Sequence, residues 1–450
     1  MRWTLIIKIL VDLLLVNLGF MGAFLLRFSG ELPIVNWQAY INIMPWISVG
    51  AFIIFYWYGL YTSGRRPWEE IFSALICSTG LLFLTTLALS FFLRQFAFPR
   101  LVFILSLFLH FVFMVAWRRF VWVWYLKRVG PERLVVVGSA SRALEKARRL
   151  LHERASMYQV VGLVIDKPEL RFDKEPSLPI LGQFGDIAVA LDRAEINGVL
   201  FCEGISLEVR NPMLTEVLSR DLSVYVVPDM YEMLVAQSQL EQLDGIPVFR
   251  LTNFTRQSVR AWKRAMDFFL ALAFGIPAIP LVCIAALAIK LESPSGPVFL
   301  SQERVGRGGK VFKLLKLRTM VPDAEKCTGP MLSNQHDPRV THVGRILRNI
   351  RIDEIPQLWN VLKGEMSFVG PRPERPFFVE QFNKEIPCYD YRHQIKGGIT
   401  GLAQIEGKYS SSPEDKLRFD LLYAKTVSPL KDAKIILHTI KVMLMRNKAL

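Results

Sequence analysis

Four long apolar runs open the chain, at about 4–26, 39–61, 71–93 and 101–117. Each is long enough to cross about 30 Å of hydrocarbon, the last only just. The first runs on past Ala23 without a cleavage site, so it is not read as a signal peptide. The pattern then changes. Arg133-Leu-Val-Val-Val-Gly138 reads as a buried parallel strand ending in glycine, and a helix pattern follows at 142–153. Strand patterns at 159–165, 198–202 and 223–227 alternate with helical stretches, which predicts a parallel, doubly wound sheet.

A further apolar stretch occupies 268–289, bracketed by Lys263-Arg264 and Lys290. Gly275, Pro277 and Pro280 interrupt its middle, and a proline removes a helix hydrogen bond. The stretch is read as a helix that breaks near Pro280 and returns to the face it entered. A kinked fifth span is the alternative. Beyond it comes a strand pattern at 311–317 and a short helix pattern in which Ile355, Leu358, Trp359 and Leu362 share a face. Pro356 suits that helix's first turn and Gly364 its stop. Asp353 and Glu354 then fall at a helix N-terminus, where the dipole favours anions. A solvated helix cap is the plainer reading of such a pair. Shortly after, Gly370-Pro371-Arg372-Pro373 holds a guanidinium on a stiff turn.

Charge gives these segments a side. Arg2 and Lys8, then Arg65 and Arg66, then Arg118, Arg119, Lys127, Arg128 and Arg133 place both termini of the four-run bundle in the cytoplasm. Arg27, Arg94 and Arg100 weaken that bias without reversing it. Trp46, Trp57, Tyr58, Trp122 and Trp124 suit an interfacial belt, and Asp12, inside the first span, is expected to find a polar contact within the bundle, with a functional role as the alternative. Hydrophobic residues make up 52% of the 450, and the net charge is +15. Residues 291–450 carry 26 Lys/Arg against 17 Asp/Glu, dispersed among turns without aromatic interleaving. Phosphorylated ligands and anionic headgroups explain that better than nucleic acid. Lys316 and Arg318 alternate onto one face of their strand, suited to a diphosphate, with a solvated edge strand as the alternative. Cys77, Cys202, Cys283, Cys327 and Cys388 form no CxxC pair and are read as reduced thiols.

The phosphate-binding fingerprint of the sheet segment is incomplete. Gly138-Ser139-Ala140-Ser141-Arg142-Ala143 keeps the first glycine of G-x-G-x-x-G and no other. A regulatory or oligomerisation role is expected of this segment ahead of dinucleotide binding. The fold class is thus membrane α plus α/β. Residues 1–128 form a four-helix transmembrane anchor and 129–250 a Rossmann-like parallel-sheet module. Residues 251–450 form an α/β catalytic domain with a re-entrant membrane helix at 265–290.

The motifs from Lys263 onward resemble the bacterial sugar transferases, the monotopic phosphoglycosyl transferases. They are Lys263-Arg264-x-x-Asp267, Pro280, Ser295-Gly296-Pro297-Val298-Phe299, Gln302-Glu303-Arg304-Val305-Gly306 and Lys316-x-Arg318-Thr319-Met320. Asp337-Pro338-Arg339, Asp353-Glu354, Met366 to Pro373 and Gly398-Ile-Thr-Gly401-x-Ala-Gln404 complete them. The resemblance implies transfer of a sugar-1-phosphate from a UDP-sugar to undecaprenyl phosphate with release of UMP, starting an exopolysaccharide, capsule or O-antigen repeat unit. It implies Asp353 as nucleophile, through a covalent phosphosugar intermediate, and Glu354 as its acidic partner. Mg²⁺ is expected at Asp353 and Glu354, and substrate contacts at Arg304, Lys316, Arg318, Arg372, Lys396, Thr400 and Gln404. The implied setting is the bacterial inner membrane, with several passes, a cytoplasmic catalytic domain, and membrane lipids as partners. A homodimer is a guess at the assembly. Lys396-Gly397 replaces the family's usual Arg-Pro, Leu402 its usual aromatic, and Ile279-Pro280 its common Ser-Pro. The competing readings are a membrane-tethered nucleotide-sugar epimerase or dehydratase, against which the broken fingerprint argues, and a non-catalytic scaffold, against which Asp353-Glu354 argues.

Overall fold

The structure, a computed structural model, describes residues 2–443 apart from 63–64, 96, 155–156, 167–177, 194, 236–237, 244–245, 251–260, 323, 325–336 and 408–411. Cys327 and part of the 251–450 segment therefore lie outside the described residues. The chain divides into two compact units, Met1–Asp229 and Met230–Leu450.

The first unit opens with α1 (Arg2–Arg27), α2 (Ile34–Trp57), α3 (Trp68–Phe92) and α4 (Arg100–Val129). All four are long and apolar enough to cross a membrane. Helix α1 packs on α4 and α2, and α3 on α2 and α4. The fourth run is longer than its apolar pattern, because Arg118 is not a loop cation. It is buried and pairs with Asp12 on α1, and it donates to Leu60 O at 3.0 Å. Two charges that would each be costly in hydrocarbon satisfy one another, so the helix continues through them. Arg119 lies over the rings of Trp68 and Trp122, 5.0 and 4.6 Å from their centroids.

There follow β1 (Glu132–Gly138), α5 (Ala140–Arg154), β2 (Tyr158–Ile165), β3 (Ile180–Gln183), α6 (Ile187–Arg193), β4 (Gly198–Phe201), α7 (Leu207–Leu218) and β5 (Ser223–Val226). The strands run in the order β3-β2-β1-β4-β5, all parallel. Val135 and Val137 pack with α6 and α7 residues on one face, and Val136 with α5 residues on the other. A strand buried on both faces must be apolar at successive positions, which is why Leu134 to Val137 reads as a continuous run. The short edge strand β3 carries too few residues to show a pattern.

The second unit begins with α8 (Met230–Val235) and the hairpin β6 (Gln239–Leu243) and β7 (Ile246–Arg250). Its body is α9 (Ala261–Glu292), β8 (Phe299–Val305), β9 (Val311–Leu317), α10 (His342–Asn349), α11 (Gln357–Lys363), β10 (Ser367–Val369), α12 (Pro376–Glu385), β11 (Gly398–Thr400), α13 (Leu402–Glu406), α14 (Pro413–Lys425) and α15 (Pro429–Met443). Helix α9 is one continuous 32-residue helix with Pro277 and Pro280 inside it, so the expected gap at Pro280 is not a break in the helix. Asp267, Ala271, Ala285 and Ile289 are buried along one stripe, while Phe269, Ile276, Ile279, Ile284 and Leu287 are exposed. Those four positions share one face by the 3.6-residue period, so the helix rests on its own domain near each end, while 272–284 between them holds no buried residue.

Candidate active site

Asp353 lies in a 3₁₀ turn, Ile352–Glu354, between α10 and α11. Both flanking helices are held by α9. The Glu292 carboxylate accepts from His342 N at 2.7 Å and Val343 N at 3.1 Å, capping the start of α10. Arg264 donates to Val361 O and Leu362 O, each at 2.6 Å, capping the end of α11, where Gly364 takes φ 88°. These are the orphan amides and carbonyls every helix end leaves. Asp267, also on α9 and buried, accepts from Ser367 Oγ and Phe368 N, each at 2.9 Å. Lys263 donates to Asp432 at 2.6 Å and to the Tyr423 hydroxyl at 3.0 Å. The Lys263-Arg264-x-x-Asp267 motif therefore bolts α9 to α11, to β10 and to the α14–α15 pair.

Helix α11 also departs from its predicted face. Trp359 is exposed, with Lys363 Nζ 5.8 Å from its ring centroid. Asn360 is buried instead: it accepts from Leu315 N at 3.0 Å and donates to Lys313 O at 2.8 Å. A buried amide reads as polar in any hydrophobic pattern, yet here it completes the open edge of β9.

Glu354 and Asp353 differ sharply in environment. Arg372 donates to Glu354 Oε1 at 2.7 Å, and Arg351 lies 3.8 Å from Oε2. Burial opposes ionisation of Glu354, but Arg372 and Arg351 outweigh it and hold the carboxyl below its usual range. Asp353 is pushed up to about 6 by burial and by the Glu354 charge, against the pull of Arg348, Lys316 and Arg372. The expectation that a helix N-terminus keeps Asp353 readily ionised is thus corrected: desolvation and the neighbouring carboxylate win. Lys316 is driven down to about 8, first by burial and then by Arg304 and Arg348. Its ammonium donates to Gln302 Oε1 at 3.3 Å, which also accepts from Arg304 at 2.7 Å. The amide oxygen sits between two cations that would otherwise repel.

The other anticipated residues are placed as follows. Arg304 is tied to Pro373 O at 2.9 Å and lies 3.6 Å from Glu374. Arg318 is buried and donates to Ser293 O at 2.7 Å; a Cβ on Gly296 would collide with its guanidinium. It thus closes the turn after α9. Thr400 Oγ1 is 2.6 Å from Thr439 Oγ1, and Gln404 donates to Ile399 O at 3.2 Å. Lys396 is lowered by burial and by Arg264. These three belong to the β10–β11 side, whereas Arg304, Lys316 and Arg372 act electrostatically with Asp353 and Glu354. Arg348 and Arg351 were not anticipated. Their signal was the i, i+3 series Arg345, Arg348, Arg351 running into Asp353.

A buried carboxylate amid cations and beside a second, neutralised carboxylate suits attack on a phosphorus, or shared binding of a hard cation. Among the described residues no three His, Cys, Asp or Glu cluster to hold a metal alone. Two carboxylates do match a Mg²⁺ completed by substrate phosphates and water.

The chain matches a family described as bacterial sugar transferase over residues 258–446, and one described as CoA-binding domain over 57–228. An Aeromonas hydrophila UDP-N-acetylgalactosamine-undecaprenyl-phosphate N-acetylgalactosaminephosphotransferase is 45% identical over 267 residues, 56% of this chain and 62% of its own. An Escherichia coli (strain K12) UDP-glucose:undecaprenyl-phosphate glucose-1-phosphate transferase is 38% identical over 246 residues, 53% of this chain and 52% of its own. A Klebsiella pneumoniae protein of the latter name is 30% identical over 325 residues, 70% of this chain and 69% of its own. The chain thus spans 62% and 52% of the first two relatives' lengths. The α/β module does not fit a CoA pyrophosphate at α5: Asp166 Oδ1 accepts from Ala140 N at 3.3 Å, and Ala140 stands where close backbone approach calls for glycine.

Proposed function

The chain belongs to the bacterial sugar transferase family, and from that membership we propose that it moves a sugar-1-phosphate from a UDP-sugar to undecaprenyl phosphate, releasing UMP. The observation that carries the reading is the unequal pair: Glu354 neutralised by Arg372, and Asp353 buried beside it among cations. In the first half-reaction an Asp353 carboxylate oxygen bonds to the sugar-bearing phosphorus. The P–O bond to the UMP phosphate breaks, and UMP leaves with that electron pair. In the second, a phosphate oxygen of undecaprenyl phosphate attacks the same phosphorus and frees the carboxylate, giving the diphosphate-linked lipid sugar. The two half-reactions let a soluble donor and a lipid acceptor use one site in turn. Lys316, Arg348 and Arg372, which act electrostatically on Asp353, would offset the charge that gathers on the phosphoryl oxygens. Asp353 and Glu354 would hold Mg²⁺, which supplies further charge neutralisation at the phosphates.

Membrane placement is part of the proposal. Helices α1–α4 anchor the chain in the bacterial inner membrane, and α9 dips into one leaflet and returns. One domain grips α9 at Arg264 and again at Glu292, which supports both ends lying on the same, cytoplasmic side. The test is incubation of purified protein with Mg²⁺, undecaprenyl phosphate and radiolabelled UDP-glucose, UDP-galactose and UDP-N-acetylgalactosamine. Labelled lipid and UMP are expected from at least one donor. Neither product from any donor sinks the proposal.

A further inference from the structure

Arg372 sits on a turn whose stiffness comes only partly from its prolines. Pro371 and Pro373 fix their own φ, which leaves their ψ angles and the φ and ψ of Arg372 as the soft dihedrals, those of Arg372 narrowed by the following proline. What remains is fixed by hydrogen bonds to successive carbonyls. Pro371 O accepts from Gly398 N at 2.8 Å, Arg372 O from Arg392 at 3.1 Å, Pro373 O from Arg304 at 2.9 Å, and Glu374 O from Val305 N at 2.8 Å. Of these four bonds, the one from Arg392 is made to Arg372 itself. Arg392 is 4% exposed and lies 2.7 Å from Asp420 on α14, itself 1% exposed. A further donor of the same guanidinium bonds the Tyr389 hydroxyl.

We infer that Arg392, locked by Asp420 and Tyr389, is a positioning residue that aims Arg372 at Glu354. This rests on the transferase reading for its kinetic consequence, but not for its geometry. A guanidinium has donors enough to hold Asp420, Tyr389 and a carbonyl together; a lysine in its place keeps the charge for Asp420 and loses the fork. Release of the Arg372 carbonyl loosens the guanidinium that neutralises Glu354, and the burden falls on Asp353.

The test compares wild type with Arg392→Lys, Arg372→Ala and the double variant, all folded by size exclusion and thermal unfolding. Arg392→Lys should lower kcat about 10- to 100-fold, as slight misplacement of a catalytic group does, with KM for the UDP-sugar changed less than about threefold. Adding Arg392→Lys to Arg372→Ala should cost nothing more, since the residue it aims is gone. Independently of turnover, Arg372 should react several-fold faster with phenylglyoxal in Arg392→Lys, read by peptide mass spectrometry. If Arg392→Lys does not fold, Asp420→Asn carries the same readouts. Wild-type kcat, an additive loss in the double variant, or an unchanged phenylglyoxal rate overturns the inference. A wild type inactive with every donor sinks the transferase reading, and the phenylglyoxal rate still decides this one.

Discussion

At the scale of single residues, the useful contrast is between two neighbouring carboxylates that the chain treats in opposite ways. Asp353 moves from an ordinary 3.8 to about 6. Below about pH 4 it is protonated folded or unfolded and costs nothing. Between about 4 and 6 the folded state binds the extra proton, so stability falls as pH rises, and the penalty is complete above 6. Asp353→Asn should therefore abolish turnover and raise stability, by roughly 3 kcal/mol at pH 8 for a shift of about two units. Denaturant unfolding at pH 8 and at pH 4 checks it; the gain should vanish at pH 4. A second consequence concerns rate. On the proposed mechanism Asp353 must be ionised, giving an acid limb near 6, and Lys316 must be charged, giving a basic limb near 8. A kcat/KM profile flat from pH 5 to 9 would contradict both assignments. Local pattern alone leaves Asp353-Glu354 as a helix cap and Lys316 on a solvated strand; it is the family resemblance of three separate motifs that singles out Asp353, Glu354, Lys316 and Arg372. The sequence does not announce Arg392, whose partner Asp420 is distant in the chain. Nor does it show that burial and the Glu354 charge push Asp353 up.

At the scale of elements, what was legible followed the periodicity. The apolar runs became α1–α4, the strand pattern at 311–317 became β9, and the alternation of strands and helices became the parallel sheet. What was not legible depended on contacts between elements. Arg118 ends the fourth apolar run on paper yet lies in mid-helix, because Asp12 answers it from α1. Trp359 looks like core yet is exposed, because Asn360 serves the edge of β9. Close approach is equally hidden. Strands β10 and β11 meet so tightly that a Cβ on Gly398 would lie 2.1 Å from Gly370 N. Backbone cannot move aside as a side chain can, so Gly398→Ala should cost about 3 kcal/mol or more. Gly309→Ala is the control: its added Cβ meets nothing within 4 Å, and only its φ of 76° is strained. That strain should cost about 1 kcal/mol. Equal losses in the two variants, by denaturant unfolding, would refute the close-approach argument.

At the scale of the whole molecule, the proposed reaction asks one site to serve both a soluble donor and a lipid. Helix α9 has the answer in its two faces. Its buried stripe of Asp267, Ala271, Ala285 and Ile289 keeps it on the domain, and its apolar outer face is left for lipid. A helix of 32 residues is about 48 Å long at 1.5 Å per residue, more than enough to cross about 30 Å of hydrocarbon. A full crossing would separate Arg264 from Glu292 by a bilayer, yet these two residues cap the helices on either side of Asp353. The proposed re-entrant placement lets the domain hold both ends from one side, and Pro277 and Pro280 lie between the two holds, where lost hydrogen bonds ease bending. In a background without native cysteines, Ala261→Cys and Leu291→Cys should both react with a membrane-impermeant maleimide in inside-out vesicles. Neither should react in sealed right-side-out cells. Labelling of the two positions from opposite sides would make α9 a fifth span and leave the lipid acceptor without a route along α9 to Asp353.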